Sequence, residues 1–142
     1  MACVRSGLST LKDFRFLRLS WEVPCKNKGL GKAWAPLAKG GEYSPYYDDI
    51  HLVVCSGTGF NEIYSFPGDM RNASCYGKIG LTYPRRTNKR LAPRIMPGGC
   101  AFGDKGPAIV DIQGSPWALL AILNSRPISY LVGLALGASE TE

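Results

Sequence analysis

The sequence has few of the residues from which catalytic and metal sites are usually built. Its 142 residues include one histidine, His51, which has no second histidine with which to share a metal. No Cys-x-x-Cys pair occurs among the cysteines, which are Cys3, Cys25, Cys55, Cys75 and Cys100. A Walker-type phosphate loop, a three-glycine dinucleotide motif and a Gly-x-Ser-x-Gly elbow are also missing. We therefore predict no catalytic residues, no metal site and reduced thiols.

Long apolar runs are missing as well. The first residues, MACVRSGLSTLKDFRFLRLSW, contain lysine and arginine throughout and do not resemble a secretory signal. The most apolar stretch, Trp117 to Leu136, is interrupted by the polar sequence Asn124-Ser125-Arg126-Pro127. This interruption favours helices packed on a protein core over a membrane span. We expect a cytoplasmic protein with no membrane partner.

Acidic residues are missing from one long segment, Lys78 to Arg94, which nevertheless carries many cations. Its basic residues are Lys78, Arg85, Arg86, Lys89, Arg90 and Arg94. Prolines at positions 84 and 93 prevent these cations from sharing one helix face, so they are expected on strand ends and loops. The whole chain has a net charge of +6, which equals the charge of this segment, so the rest of the chain is close to neutral. A basic loop with apolar anchors suits a phosphate backbone, although a solvated surface run has the same composition.

The remaining pattern predicts one α+β domain over residues 1–142, with a twisted, mainly antiparallel sheet and a C-terminal helix pair. The predicted strands are Phe14–Val23, Trp34–Leu37, Ile50–Cys55, Ile79–Tyr83, Arg94–Met96, Cys100–Phe102 and Ala108–Ile112. A short helix is predicted near Phe60–Tyr64. Ser115 followed by Pro116 predicts the start of a helix, and Pro127 can open a second one that stops at Gly137.

Five motifs occur in an order that resembles a known family. They are Phe14-Arg15-Phe16-Leu17-Arg18, Ala38-Lys39-Gly40-Gly41-Glu42-Tyr43-Ser44-Pro45-Tyr46-Tyr47, Gly80-Leu81-Thr82-Tyr83-Pro84-Arg85-Arg86-Thr87, Asp104-Lys105-Gly106-Pro107-Ala108 and Leu119-Leu120-Ala121-Ile122-Leu123-Asn124-Ser125-Arg126-Pro127. Together they resemble the target-recognition region of adenine-specific DNA methyltransferases from restriction–modification and related phage-defence systems. The resemblance covers the chain from about Gly7 to Gly137.

The resemblance implies a domain that embraces double-stranded DNA and reads its bases, while a separate catalytic domain holds the flipped adenine. The family's Asn/Asp-Pro-Pro-Tyr/Phe motif and its S-adenosylmethionine motif are absent from this sequence. We therefore expect no cofactor and no methylation by this chain alone, and a methyltransferase catalytic domain as partner. The segment from Gly57 to Gly77 is shorter than in the family, and Cys55-Ser56 replaces a common Asn-aromatic pair.

The resemblance and the charge pattern together identify candidate DNA contacts. They are Lys39, Lys78, Tyr83, Arg85, Arg86, Thr87, Lys89, Arg90 and Arg94, of which Arg85, Arg86 and Thr87 match the family's Pro-Arg-Arg-Thr element. Arginine can bind phosphate or guanine through two parallel hydrogen bonds. Three tyrosines, Tyr43, Tyr46 and Tyr47, are candidates for stacking on a sugar or an unpaired base, or for packing under their own loop. We interpret Lys105 as structural, because its turn joins two strands.

A second hypothesis needs no DNA. In it the chain is a protein-interaction or oligomerising subunit, with the basic loop docked on an acidic partner and apolar faces that self-associate into a homo-oligomer. A stand-alone enzyme is the least supported alternative, because no acid–base or nucleophile constellation can be named.

Overall fold

The computed structural model describes residues 2–57, 70–86 and 90–137. The strands are β1 (Cys3–Arg5), β2 (Leu17–Leu19), β3 (Trp34–Ala38), β4 (Leu52–Cys55), β5 (Gly80–Thr82), β6 (Arg94–Met96), β7 (Ala101–Phe102) and β8 (Ala108–Val110). The helices are α1 (Asp13–Phe16), α2 (Pro116–Asn124) and α3 (Arg126–Gly137), with single 3-10 turns at Ser20–Glu22, Cys25–Asn27 and Ala73–Cys75.

The strands form two four-stranded sheets rather than the single sheet expected from the sequence. One sheet has the order β1-β8-β5-β6 and is antiparallel throughout. The other has the order β2-β4-β3-β7, in which only the β3–β7 pair is parallel. The predicted α+β class, the mainly antiparallel pairing and the C-terminal helix pair are confirmed.

One cluster of buried side chains connects the two sheets. Phe102 of β7 packs with Met96 of β6 and Val110 of β8, and the relative exposure of all three rounds to 0%. The ring of Tyr76 meets Phe102 edge to face, with 5.1 Å between the ring centroids. Because this cluster takes side chains from both sheets, burial of its apolar surface stabilises their contact as well as each sheet.

The helix pair begins as predicted from the sequence. The Ser115 side chain caps α2 by accepting from the Ala118 amide at 3.4 Å, and proline stands at the first helical turn. Leu120 is buried against β5 and β8. The Asn124 side-chain amide donates to the Pro93 carbonyl at 2.9 Å, which ties the end of α2 to the start of β6.

The region from Phe14 to Val23, which was predicted as one strand, has a different structure from the prediction. The one-turn helix α1 precedes β2, and a 3-10 turn follows it. Asp13 accepts a hydrogen bond from the Thr10 hydroxyl and Phe16 is buried, so local bonding and packing outweigh the alternating pattern. The other predicted strands are found within two residues of their observed ends, and β1 was not predicted. The helix predicted near Phe60–Tyr64 lies outside the described residues.

Within the described ranges, no single helix has the length and apolar character needed to cross a bilayer. The two C-terminal helices meet these criteria only when taken together, and the chain bends by 65° between them.

Candidate nucleic-acid interface

Three turns of the chain meet beside the two sheets. Lys39 and Gly40 follow β3, Arg85 follows β5, and Lys105 and Gly106 lie between β7 and β8. The Arg85 amide donates to the Lys105 carbonyl at 3.0 Å. A Cβ atom added to Gly40, where φ is +91°, would lie only 2.3 Å from that carbonyl oxygen. Glycine at this position therefore allows the first and third turns to touch.

These turns border an open cavity of about 510 Å³, called here the cationic cleft. It is lined by residues 37–41, 48–52, 82, 84–86, 94–95 and 104–105. Thr82 lines the cleft, and its hydroxyl donates to the Pro107 carbonyl at 3.1 Å. The cleft thus combines strand ends with turns, and a backbone hydrogen bond joins the Arg85 turn to the Lys105 turn.

Three cations at the cleft are exposed and available to a ligand: Arg85, Arg86 and Lys105. Their side chains form no ion pair or hydrogen bond with any other residue that the structure describes. The sequence identified the two arginines, but Lys105 was interpreted as structural. The signal in the sequence that could have identified Lys105 was its position in the Asp-Lys-Gly-Pro-Ala motif.

Arg94 is placed very differently from the predicted surface contact. Its side chain is only 2% exposed and lies 3.0 Å from the Asp48 carboxylate. The guanidinium also donates to the Glu42 carbonyl at 3.0 Å and to the Gly40 carbonyl. Burial lowers the pKa of Arg94 from its ordinary value and the Asp48 charge opposes this, while arginine stays protonated at neutral pH. In this structure Arg94 holds the 40–48 loop and is not available to a phosphate.

Two further predicted contacts, Lys39 and Lys78, are already engaged in ion pairs. Lys39 binds Asp13, which also accepts from the Thr10 hydroxyl. Burial raises the pKa of Asp13, but the hydrogen bonds from Lys39 and Thr10 and the nearby positive charges outweigh it, so this pKa lies below its ordinary value. Lys78 is exposed and pairs with Asp111 at 2.6 Å, and this hydrogen bond raises the pKa of the lysine.

The remaining predicted contacts are spread along the chain. Tyr83 is half-buried against the cluster that contains Leu81, and burial raises its pKa while the charge of Arg85 lowers it. Arg90 is exposed but borders a groove of α3 rather than the cationic cleft. Thr87 and Lys89 lie outside the described residues. Among the described residues, Lys78 and Arg90 therefore lie outside the cationic cleft that Arg85 and Arg86 line.

The three candidate stacking residues lie on the 40–48 loop with exposed side chains. Tyr43, Tyr46 and Tyr47 are 37%, 54% and 63% exposed. The backbone of Tyr46 pairs with the edge of β6, donating to the Pro93 carbonyl and accepting from the Ile95 amide. The Tyr47 hydroxyl donates to Asp49 at 2.6 Å, and this bond raises its pKa. Stacking on a base remains a prediction.

The cleft also contains carboxylates. Asp48 is paired with Arg94, and Asp49 accepts from the Tyr47 hydroxyl. The Asp104 side chain is half-buried and forms no hydrogen bond with the rest of the described chain. No group of three or more His, Cys, Asp or Glu side chains that could hold a metal ion occurs among the residues with a described placement.

No family model matches the sequence. The chain is similar to the adenine-specific methyltransferase BrxX of Escherichia coli O9:H4 (strain HS), with 29% identity over 126 residues. The similar region covers 84% of this chain but only 10% of BrxX, so the chain spans about a tenth of that protein's length. This similarity supports a relation to adenine-specific methyltransferases.

Proposed function

We propose that this chain is a DNA-binding module of an adenine-specific methyltransferase system. It contacts double-stranded DNA through Arg85, Arg86 and Lys105, and it contributes to target recognition. Methyl transfer is supplied by a separate catalytic domain, and by resemblance the system acts in phage defence. The observation that carries this proposal is the pair Arg85 and Arg86: both are exposed at the cationic cleft, without ion-pair partners among the described residues.

The charge arrangement supports a phosphate-binding role for these residues. Arg85 is anchored through its backbone to the Lys105 carbonyl, so the two side chains start from turns whose relative position is held. Guanidinium groups that are not engaged by carboxylates are available for hydrogen bonds to phosphate, which are stronger than those between neutral groups. BrxX is named as an adenine-specific methyltransferase, and the similarity to it favours DNA as the polyanion that this chain binds.

The test is a titration of the chain with labelled duplex DNA at several salt concentrations. If Arg85, Arg86 and Lys105 neutralise three phosphates, the plot of log K against log salt has a slope of about −2.7. Replacing both arginines by alanine should reduce the slope to about −0.9 and weaken binding by about 3–6 kcal/mol at low salt. The matched control is Lys26→Ala with Lys32→Ala, which removes the same charge from exposed positions outside the cleft.

A flat salt response of the unmodified chain would contradict the proposal. An equal loss of affinity in the Lys26→Ala and Lys32→Ala control would indicate that the DNA contact lies outside the cationic cleft.

A second candidate function is association through the helix pair. Among the side chains that the structure describes in α2 and α3, five large hydrophobic ones are exposed: Tyr130 by 67%, Trp117 and Leu131 by 58%, Ile122 by 56% and Leu134 by 54%. Exposed apolar side chains of this size suit contact with a partner protein or with a second copy of the chain. Size-exclusion chromatography with and without duplex distinguishes the two functions: a dimer whose elution is unchanged by duplex favours association, and a shift with duplex favours DNA binding.

A further inference from the structure

The cationic cleft is larger and more apolar than a site for phosphate contacts alone requires. Its volume of about 510 Å³ lies within the range of about 300–1,000 Å³ that is typical of small-molecule sites. Aliphatic side chains contribute much of the wall, among them Leu37, Leu52 and Ile95. A phosphate of a stacked duplex would use the rim and leave this apolar interior empty.

The polar groups that line the cleft include both cations and a carboxylate. Arg85, Arg86 and Lys105 supply positive charge. Asp104 supplies a half-buried carboxylate that has no hydrogen-bond donor within the described chain. A ligand that satisfies all of these groups carries an anion, a flat apolar body and an N–H donor.

A nucleoside phosphate has this combination of groups. Its phosphate can pair with the cations, its base can lie against aliphatic side chains, and an exocyclic amino group can donate to a carboxylate. Adenine and cytosine carry such an amino group where thymine has a carbonyl oxygen. A base stacked within a duplex cannot enter the cleft, so the ligand is either a free nucleotide or an unstacked nucleotide of a strand.

We propose that the cationic cleft binds one unstacked nucleoside phosphate and prefers a base with an exocyclic amino group. The phosphate is held by Arg85, Arg86 and Lys105, and Asp104 accepts from the amino group. This inference rests on the proposed function in taking nucleic acid as the source of the nucleotide, but the binding chemistry is the same for a free one.

The first test is calorimetric titration of the chain with dAMP, dCMP, dTMP and inorganic phosphate. The amino-bearing nucleotides dAMP and dCMP should bind more tightly than dTMP by a factor of about ten. The nucleotide dTMP should in turn bind more tightly than inorganic phosphate. Asp104→Ala removes the acceptor and should remove most of the preference over dTMP, while Lys105→Ala should weaken all four ligands alike. Lys26→Ala is the matched control, because Lys26 is exposed and lies outside the cleft, and this change should leave binding unaltered.

Nucleotides that bind no more tightly than inorganic phosphate would overturn the inference, as would a preference for dAMP that survives Asp104→Ala. A second titration with single-stranded and duplex DNA separates this failure from that of the proposed function. Salt-dependent duplex binding that dAMP does not displace leaves the proposed function standing and removes the nucleotide site. Binding of dAMP without any binding of duplex keeps the nucleotide site and removes the proposed function.

Discussion

Replacement of Arg94 by methionine tests whether this arginine is a structural residue or a DNA contact. The change keeps an unbranched apolar stem and removes the guanidinium. It therefore deletes the ion pair to Asp48 and the hydrogen bonds to the Glu42 and Gly40 carbonyls. Because Arg94 is 2% exposed, its partners lose their hydrogen bonds in a place that water reaches poorly.

The expected loss of unfolding free energy depends on how deeply Arg94 and Asp48 are buried. Removing one partner of a buried ion pair typically costs about 3–5 kcal/mol. The Asp48 side chain is 33% exposed and so keeps part of its hydration, which places the loss near the lower limit. With a urea dependence of about 2 kcal/mol per molar, a loss of about 3 kcal/mol lowers the unfolding midpoint by about 1.5 M.

Urea unfolding of Arg94→Met beside Arg86→Met provides the comparison. Arg86 is exposed and forms no ion pair with any residue that the structure describes. The same substitution there should therefore change the free energy of unfolding by no more than about 0.5 kcal/mol. DNA affinity should respond in the reverse order, with the larger loss at Arg86. If Arg94→Met unfolds at the unmodified midpoint and binds duplex more weakly than Arg86→Met, the structural role assigned to Arg94 is wrong.

Two further predictions concern the turns beside the cleft. Gly40→Ala introduces a Cβ atom 2.3 Å from the Lys105 carbonyl at a φ of +91°, whereas Gly31→Ala, at +79°, meets no atom within 4 Å. Backbone strain costs both variants about 1–3 kcal/mol, and Gly40→Ala should lose more because of the collision; equal thermal unfolding shifts would contradict this. Because the pKa of Asp13 is lowered from 3.8, its ionised form stabilises the fold above that pH, and this stabilisation is lost as pH falls through the folded-state pKa. The stability difference between the unmodified chain and Asp13→Asn should therefore shrink below pH 3.8 in urea titrations, and a constant difference would refute the assignment.

Local patterns predicted those elements whose boundaries depend on nearby residues. Ser115 and Pro116 specify a helix start through a cap and a fixed φ, which act within one turn. The strand from Arg94 to Met96 was likewise predicted at its observed boundaries. Alternation failed from Phe14 onward, because it reports neither the local hydrogen bond from Thr10 to Asp13 nor the long-range interactions of Asp13 with Lys39 and of Phe16 with the core. The division of the strands between two sheets also depends on long-range pairing, as of β1 with β8.

In the candidate site, too, some features were predicted from local sequence and others depend on the tertiary structure. The sequence by itself determined that basic residues are concentrated between Lys78 and Arg94, and its motifs marked the Arg85-Arg86 turn. It did not determine which cations are available, because their carboxylate partners lie outside that segment. Asp48 is brought to Arg94 and Asp111 to Lys78 only by the tertiary structure. Coulombic pairing depends on distance in space rather than along the chain, so only the fold decided that Arg85, Arg86 and Lys105 remain exposed together.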